Sequence, residues 1–188
     1  MSANEYILGL MAIVSGLAIT EWIGSLYRLL AARRAVKWDW LAAMAATFAA
    51  YMIVRSWWIS WRSFGPQTDL TLGKMIWNLT QIVLLFLAAR AALPESVPEV
   101  GVDMRRHYER NSWLIWGPMS LTGLMLLGSN LLYDWRRVLI PFAVAMEIAV
   151  VIGLVLTFVQ RRLVHAILAP LMAVGYVAAT LGERMSGN

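Results

Sequence analysis

Residues 6–30 read YILGLMAIVSGLAITEWIGSLYRLL, twenty-five positions interrupted by two charges, Glu21 and Arg28. About 20 mostly apolar residues in helical form cross the hydrocarbon core of a bilayer. Lipid offers the main chain no hydrogen-bond partner, so such a run folds as a helix. Arg33, Arg34 and Lys37 follow it, a basic flank of the kind that sets topology. The run is too long for the apolar region of a secretory signal, and Met1–Glu5 ahead of it holds no basic residue. It is read as a retained first helix.

Five further stretches have the same character: Leu41–Trp61, Leu70–Leu93, Trp113–Leu132, Val138–Val159 and Leu163–Leu181. The expected fold is therefore all-α, a polytopic bundle of six transmembrane helices forming one domain over residues 1–188. Phe64-Gly65-Pro66 breaks the chain after the second span, and Pro94 stops the third. Gly117-Pro118 marks a kink or an entry turn in the fourth span. The fifth opens near Pro141. Pro170 removes a main-chain hydrogen bond and should bend the sixth.

The longest connection, residues 94–112, divides the spans three plus three, and 102–111 within it suits a short interfacial helix. Halves of that kind occur as inverted repeats in transporters. The internal echo is faint, Ser15-Gly16-Leu17 against Thr122-Gly123-Leu124.

Composition agrees with lipid as the solvent. Sixty per cent of the residues are hydrophobic and 14% are charged, against about 25% charged in soluble domains. The net charge of +5 comes mostly from residues beside apolar runs, so no nucleic-acid partner is expected. With no Cys, disulfides, Cys-ligated zinc and Cys-held iron–sulfur clusters are excluded.

Sidedness follows from the basic residues. One side receives ten: Arg28, Arg33, Arg34, Lys37, Arg90, Arg105, Arg106, Arg110, Arg161 and Arg162. The other receives six: Arg55, Arg62, Lys74, Arg136, Arg137 and Arg184. The richer side is expected in the cytoplasm, with the 94–112 loop, and both termini outside. Tryptophans fit these ends as interfacial anchors, Trp38, Trp40, Trp113 and Trp116 within, Trp57, Trp58, Trp61, Trp77 and Trp135 without.

Small residues at four-residue spacing allow helices in lipid to approach closely. Gly16, Thr20 and Gly24 offer such a seam in the first span, Ala42, Ala46 and Ala50 in the second, and Ala169 with Ala173 and Gly175 with Ala179 in the sixth.

Polar groups inside spans locate the candidate site. A charge in hydrocarbon costs about 2.5–3.5 kcal/mol and so faces a partner or a cavity. Glu21, Arg55 and Glu147 fall within spans. Lys74, Asn78 and Gln81 share one face of the third, and Glu21, Ser25 and Arg28 one face of the first. Arg55 and Glu147 lie at similar depth and are expected to pair, with Asn78 or Gln81 completing the cluster. His165 is at a depth suited to Glu21, and such a pair would exchange a proton near neutral pH. Arg28 snorkelling towards Glu21, or a protonated Glu21 bonded to a hydroxyl, are the other arrangements open to it. The pathway residues are thus Glu21, Arg55, Asn78, Gln81, Glu147 and His165. Arg105, Arg106 and Arg110 are expected to meet lipid headgroups.

Motifs for metalloprotease, serine-hydrolase and P-loop chemistry are absent from the sequence. No cofactor, metal or catalytic residue is expected. Glu5-Tyr6, Gly16-Leu17, Arg28-Leu29, Arg33-Arg34, Trp57-Trp58, Leu93-Pro94, Val102-Asp103, Arg105 and Tyr108 are together similar to a group of small uncharacterised bacterial polytopic membrane proteins. The resemblance covers about the first 115 residues. It implies a bacterial inner-membrane location and carries no activity with it. The readings that remain are a small transporter or channel, an accessory or scaffolding subunit of a larger membrane complex, and a lipid-handling intramembrane enzyme working beside Glu21. Membrane lipids are the expected partners, together with a second copy of the chain or a larger complex.

Overall fold

The computed structural model describes residues 3–63, 71–133 and 141–180. Six helices follow in order: α1 (Ala3–Ala31), α2 (Trp40–Ser63), α3 (Leu72–Ala92), α4 (Met104–Tyr133), α5 (Pro141–Phe158) and α6 (Arg162–Thr180). Two two-residue strands, β1 (Val36–Lys37) and β2 (Val102–Asp103), lie between α1 and α2 and between α3 and α4. The break at Phe64-Gly65-Pro66 and the residues Arg136, Arg137, Trp135 and Arg184 fall outside the described residues.

Helix starts follow capping chemistry. Asp39 Oδ1 accepts from the Leu41 and Ala42 amides, both at 3.1 Å, and so caps α2. Thr71 caps α3 through the Lys74 amide, and Asp103 caps α4 through the Arg106 amide. That last cap explains the main departure from expectation. The helix foreseen over 102–111 and the span foreseen from Trp113 are one continuous helix of 30 residues. Gly117-Pro118 lies inside it, and no break occurs there. The long connection is therefore short, running from Leu93 to Asp103.

Three helical stretches are long and apolar enough to cross a membrane: Glu5–Ala31, Leu72–Ala92 and Arg162–Thr180. The described part of α5, Met146–Phe158, is apolar but shorter. In α2 the density of Trp and the presence of Arg55 lower the mean hydropathy. In α4 the polar first turns do the same. The bundle turns large apolar side chains outward, among them Leu17, Leu171, Val174 and Phe158, all more than 60% exposed. Thr20, Thr47 and Thr80 are exposed too, and each hydroxyl donates to the carbonyl four residues before it. A threonine that satisfies its own helix is at home beside lipid. These features are compatible with a membrane protein.

The interior is built on alanine. Ala42, Ala45, Ala46 and Ala49 of α2 and Ala88 and Ala92 of α3 are buried, which lets these helices pack closely. α4 packs against α2, α3 and α5, and α6 against α5 and α2. α4 and α5 approach closely at two glycines. A Cβ on Gly123 would stand 2.5 Å from Val150 Cγ2, and one on Gly153 would stand 2.5 Å from Ser120 Oγ. Gly16 and Gly175, expected in packing seams, face open space instead. Gly16 and Gly123, the centres of the faint internal echo, thus have unlike surroundings.

The strands tie the two halves of the chain together. β1 and β2 pair in parallel, Val36 opposite Val102 and Lys37 opposite Asp103. Gly101 makes this possible. Its φ of 86° is unfavourable for other residues, and a Cβ there would lie 2.5 Å from the Ala35 carbonyl oxygen. The bridge sits at the end of the bundle where α1 finishes and α2, α4 and α6 begin, hereafter the basic end.

Candidate functional site

An internal cavity of about 70 Å³ lies between α2, α3, α4, α5 and α6. A buried water needs about 10–15 Å³ by this measure, so the space suits several waters or one small solute. Its polar lining comes from Arg55, Ser56 and Ser60 of α2, Asn78 and Gln81 of α3, and Ser120 and Thr122 of α4. Phe48, Met52, Met172 and Tyr176 are among its apolar walls. Three of the expected pathway residues, Arg55, Asn78 and Gln81, are thus brought together. The three-residue spacing places Asn78 and Gln81 on one helical face. Lys74, on the same face by spacing, is not among the lining residues.

Arg55 is 7% exposed and is the charged member of the described lining. Asn78 Nδ2 donates to the Lys74 carbonyl at 2.8 Å, which fixes its amide and leaves the oxygen as an acceptor. Ser120 Oγ donates to the Trp116 carbonyl and Thr122 Oγ1 to the Pro118 carbonyl. Their hydroxyl oxygens remain available to accept.

Glu147, Glu21 and His165 are not among the cavity's lining residues. No ion pair joins Arg55 to Glu147. α5 turns Met146, Ala149 and Val150 to the cavity that Arg55 lines, and Glu147 lies off that face. Glu147 Oε1 is buried and has no hydrogen-bond partner among the described residues. Glu21 meets Arg28 instead of His165, at 3.7 Å, and Arg28 also donates to Ser25 Oγ at 2.8 Å. The face Glu21–Ser25–Arg28 read from the sequence is therefore a local cluster on α1, with both charged side chains about two-fifths exposed.

His165 belongs to a different arrangement. The Trp116 indole N–H donates to the Tyr108 hydroxyl oxygen at 2.9 Å, and that hydroxyl lies 2.7 Å from His165 Nδ1. His165 Nε2 lies 2.8 Å from the Val159 carbonyl. A carbonyl only accepts, so Nε2 carries the proton, Nδ1 accepts, and Tyr108 donates to it. All three side chains are no more than 2% exposed. Burial pushes the Tyr108 phenol well above its ordinary pKa, so it keeps the proton that this chain requires. Trp116, expected as an interfacial anchor, is instead a wall between this chain and the cavity, its ring 6.2 Å from Phe48. Tyr108 and Trp116 share one helix only because α4 is continuous from Met104, which hydropathy does not signal.

Beside the chain, Arg162 of α6 pairs with Asp39 at the start of α2. The same guanidinium lies 3.5 Å from Glu109 of α4, which Arg105 meets at 2.9 Å. His107 Nε2 donates to the Ala91 carbonyl at 3.0 Å. These contacts join α2, α3, α4 and α6 at the basic end. The cavity lies on the far side of Trp116 from them.

Arg105, Arg106 and Arg110 project from the first turns of α4 and are exposed. Hydrogen bonding to Glu109 raises the pKa of Arg105, and the Arg106 amide holds the Asp103 carboxyl below its usual range.

No protein family, curated protein or solved structure matches this chain.

Proposed function

We propose that the protein is a polytopic membrane protein in which all six helices span the bilayer, and that it binds and conducts a small polar solute through the cavity beneath Arg55. The observation that carries this reading is the convergence of Arg55, Asn78 and Gln81, from two helices, on one internal space. Buried polar groups in hydrocarbon are costly, and several of them turned into one cavity favour a polar occupant. α2, α4 and α5 cross as well in this reading. The lower hydropathy of α2 and α4 reflects the polar cavity wall and the interfacial first turns of α4, while the described part of α5 is apolar.

The basic end faces the cytoplasm, because Lys and Arg concentrate there. The solute enters from the opposite side. Trp116 and Phe48 close the inner end, and the Asp39–Arg162 and Tyr108–His165 contacts hold that end together. The geometry thus suits the outward-open half of an alternating cycle. Glu147 and Glu21 stand outside the pathway in this form.

Reconstituted vesicles test the proposal directly. Uptake of a panel of small carboxylates, amino acids and inorganic ions should reveal one solute class that Gln81→Leu and Asn78→Leu both abolish, while the folded protein is recovered in normal yield. Absence of flux, together with recovery of a stoichiometric partner protein after mild extraction, would replace this reading with that of an accessory subunit.

A further inference from the structure

We propose that the basic end carries an assembled binding site for the headgroup of an anionic phospholipid, formed by Arg33, Arg34 and Lys37 from one connection and Arg106 and Arg110 from the start of another helix. The two groups are about 70 residues apart in sequence. The β1–β2 bridge brings them together. Lys37 stands opposite Asp103, and Asp103 caps the turn that presents Arg106. The 3-10 turn Arg33–Ala35 runs straight into β1, and β1 touches α4.

The charges on this platform are not balanced from within. Arg90 is bound by Glu95, Arg105 by Glu109, and Arg162 by Asp39. No side-chain hydrogen bond or ion pair engages Arg33, Arg34, Lys37, Arg106 or Arg110 among the described residues, and all five are exposed. Asp103, which the bridge sets opposite Lys37, is occupied as the cap of α4. Asp39 and Glu109 at the same end are likewise committed, to Arg162 and Arg105.

Adjacent surface chemistry selects the occupant. Trp38, Trp40 and Trp113 are 46%, 55% and 52% exposed at this same end. Arg106, Arg110 and Trp113 follow at four-residue and three-residue intervals on α4, which places them on one face. Guanidinium groups above an exposed indole match a phosphate above a glycerol ester, since the indole prefers the membrane–water boundary. An acidic peptide or a nucleic acid would use the cations and leave the indoles unexplained.

Gly101 supplies a test that removes no charge. Alanine there meets the Ala35 carbonyl and disfavours the backbone angle, so Gly101→Ala should separate the two halves of the site. The full-length protein in mild detergent is titrated with phosphatidylglycerol and with phosphatidylcholine, reading the melting temperature and the lipids retained in native mass spectra. Phosphatidylglycerol should stabilise and be retained, phosphatidylcholine should not, and added salt should weaken the effect. Near a membrane surface each basic residue contributes about 1 kcal/mol, or roughly fivefold in affinity, so Lys37→Gln and Arg106→Gln should each weaken binding by about that factor. Arg90→Gln, at the same end but outside the site, should leave it unchanged. Gly101→Ala should weaken it as much as the charge removals do. Should Gly101→Ala fail to fold, the Lys37→Gln/Arg106→Gln pair replaces it, and one shared site requires their effects to be non-additive. Equal response to both lipids, equal loss with Arg90→Gln, or strictly additive losses would overturn the proposal.

Discussion

The Tyr108 hydroxyl donates to His165 Nδ1 across 2.7 Å and accepts from the Trp116 indole at 2.9 Å, so one oxygen satisfies two buried groups on two helices. Tyr108→Phe keeps the ring and removes that oxygen. It leaves an indole N–H and an imidazole nitrogen buried without partners, at about 1–3 kcal/mol each. Thermal unfolding in detergent should therefore show a loss of about 2–5 kcal/mol. Tyr27→Phe, at a tyrosine that is 70% exposed, should cost almost nothing.

Glycines separate by environment. Gly123→Ala forces a methyl against Val150 Cγ2, and a β-branched side chain in a helix has little freedom to turn away. Overpacking of this kind costs about 1–3 kcal/mol. Gly16→Ala meets open space and gains helix propensity, worth up to about 1 kcal/mol. The two substitutions should move the melting temperature in opposite directions, as differential scanning fluorimetry can measure.

Asp39 has two tasks, capping α2 and pairing with Arg162. Asp39→Ala loses both and should cost about 2–4 kcal/mol, given that a cap contributes about 1 kcal/mol and Arg162 is left without its main anion. Asp39→Asn keeps the capping oxygen and should recover about 1 kcal/mol of that loss. Chemical denaturation of the three proteins in mixed micelles checks the ranking.

His107 sets a pH dependence. Burial lowers its pKa, and the Asn111 amide stands 3.2 Å from Nδ1 while Nε2 donates to Ala91. With the folded pKa below the unfolded value of about 6.5, the unfolded chain binds more protons in between. The contribution is fully present above pH ~6.5 and is lost as pH falls through the folded value. Melting temperatures measured from pH 8 to pH 5 should decline on the acid side, and His107→Gln should flatten the curve. A rising curve on acidification would contradict the assignment.

The helices were legible because each rests on a local signal. The apolar run at residues 6–30 and the alanines of α2 needed no partner to be read. Asn78 and Gln81 were found as site residues for the same reason, their spacing on one helix. Pairing between helices was not legible. Arg55 and Glu147 have similar depths, but depth says nothing about rotation: α5 presents Met146, Ala149 and Val150 to the cavity, and not Glu147. His165 and Tyr108 meet because α4 starts at Met104, nine residues before the apolar run that announced it. The cap at Asp103 that moves this start carries no hydropathy signal. Trp116 was placed at the boundary by its type, and its true position followed from the hydroxyl at Tyr108.

The absence of native cysteine makes sided labelling of single-cysteine variants the most direct test of the central claim, that a cavity within a membrane-spanning bundle opens away from the basic end. Ser56→Cys places a thiol on the cavity wall, Arg34→Cys one on the basic end, and Leu171→Cys one on the apolar exterior. In sealed vesicles of known orientation, a membrane-impermeant maleimide should reach Ser56→Cys from one face only and Arg34→Cys from the other, and should not reach Leu171→Cys. Labelling of Ser56→Cys and Arg34→Cys from the same face, or equal labelling of all three thiols, would contradict it.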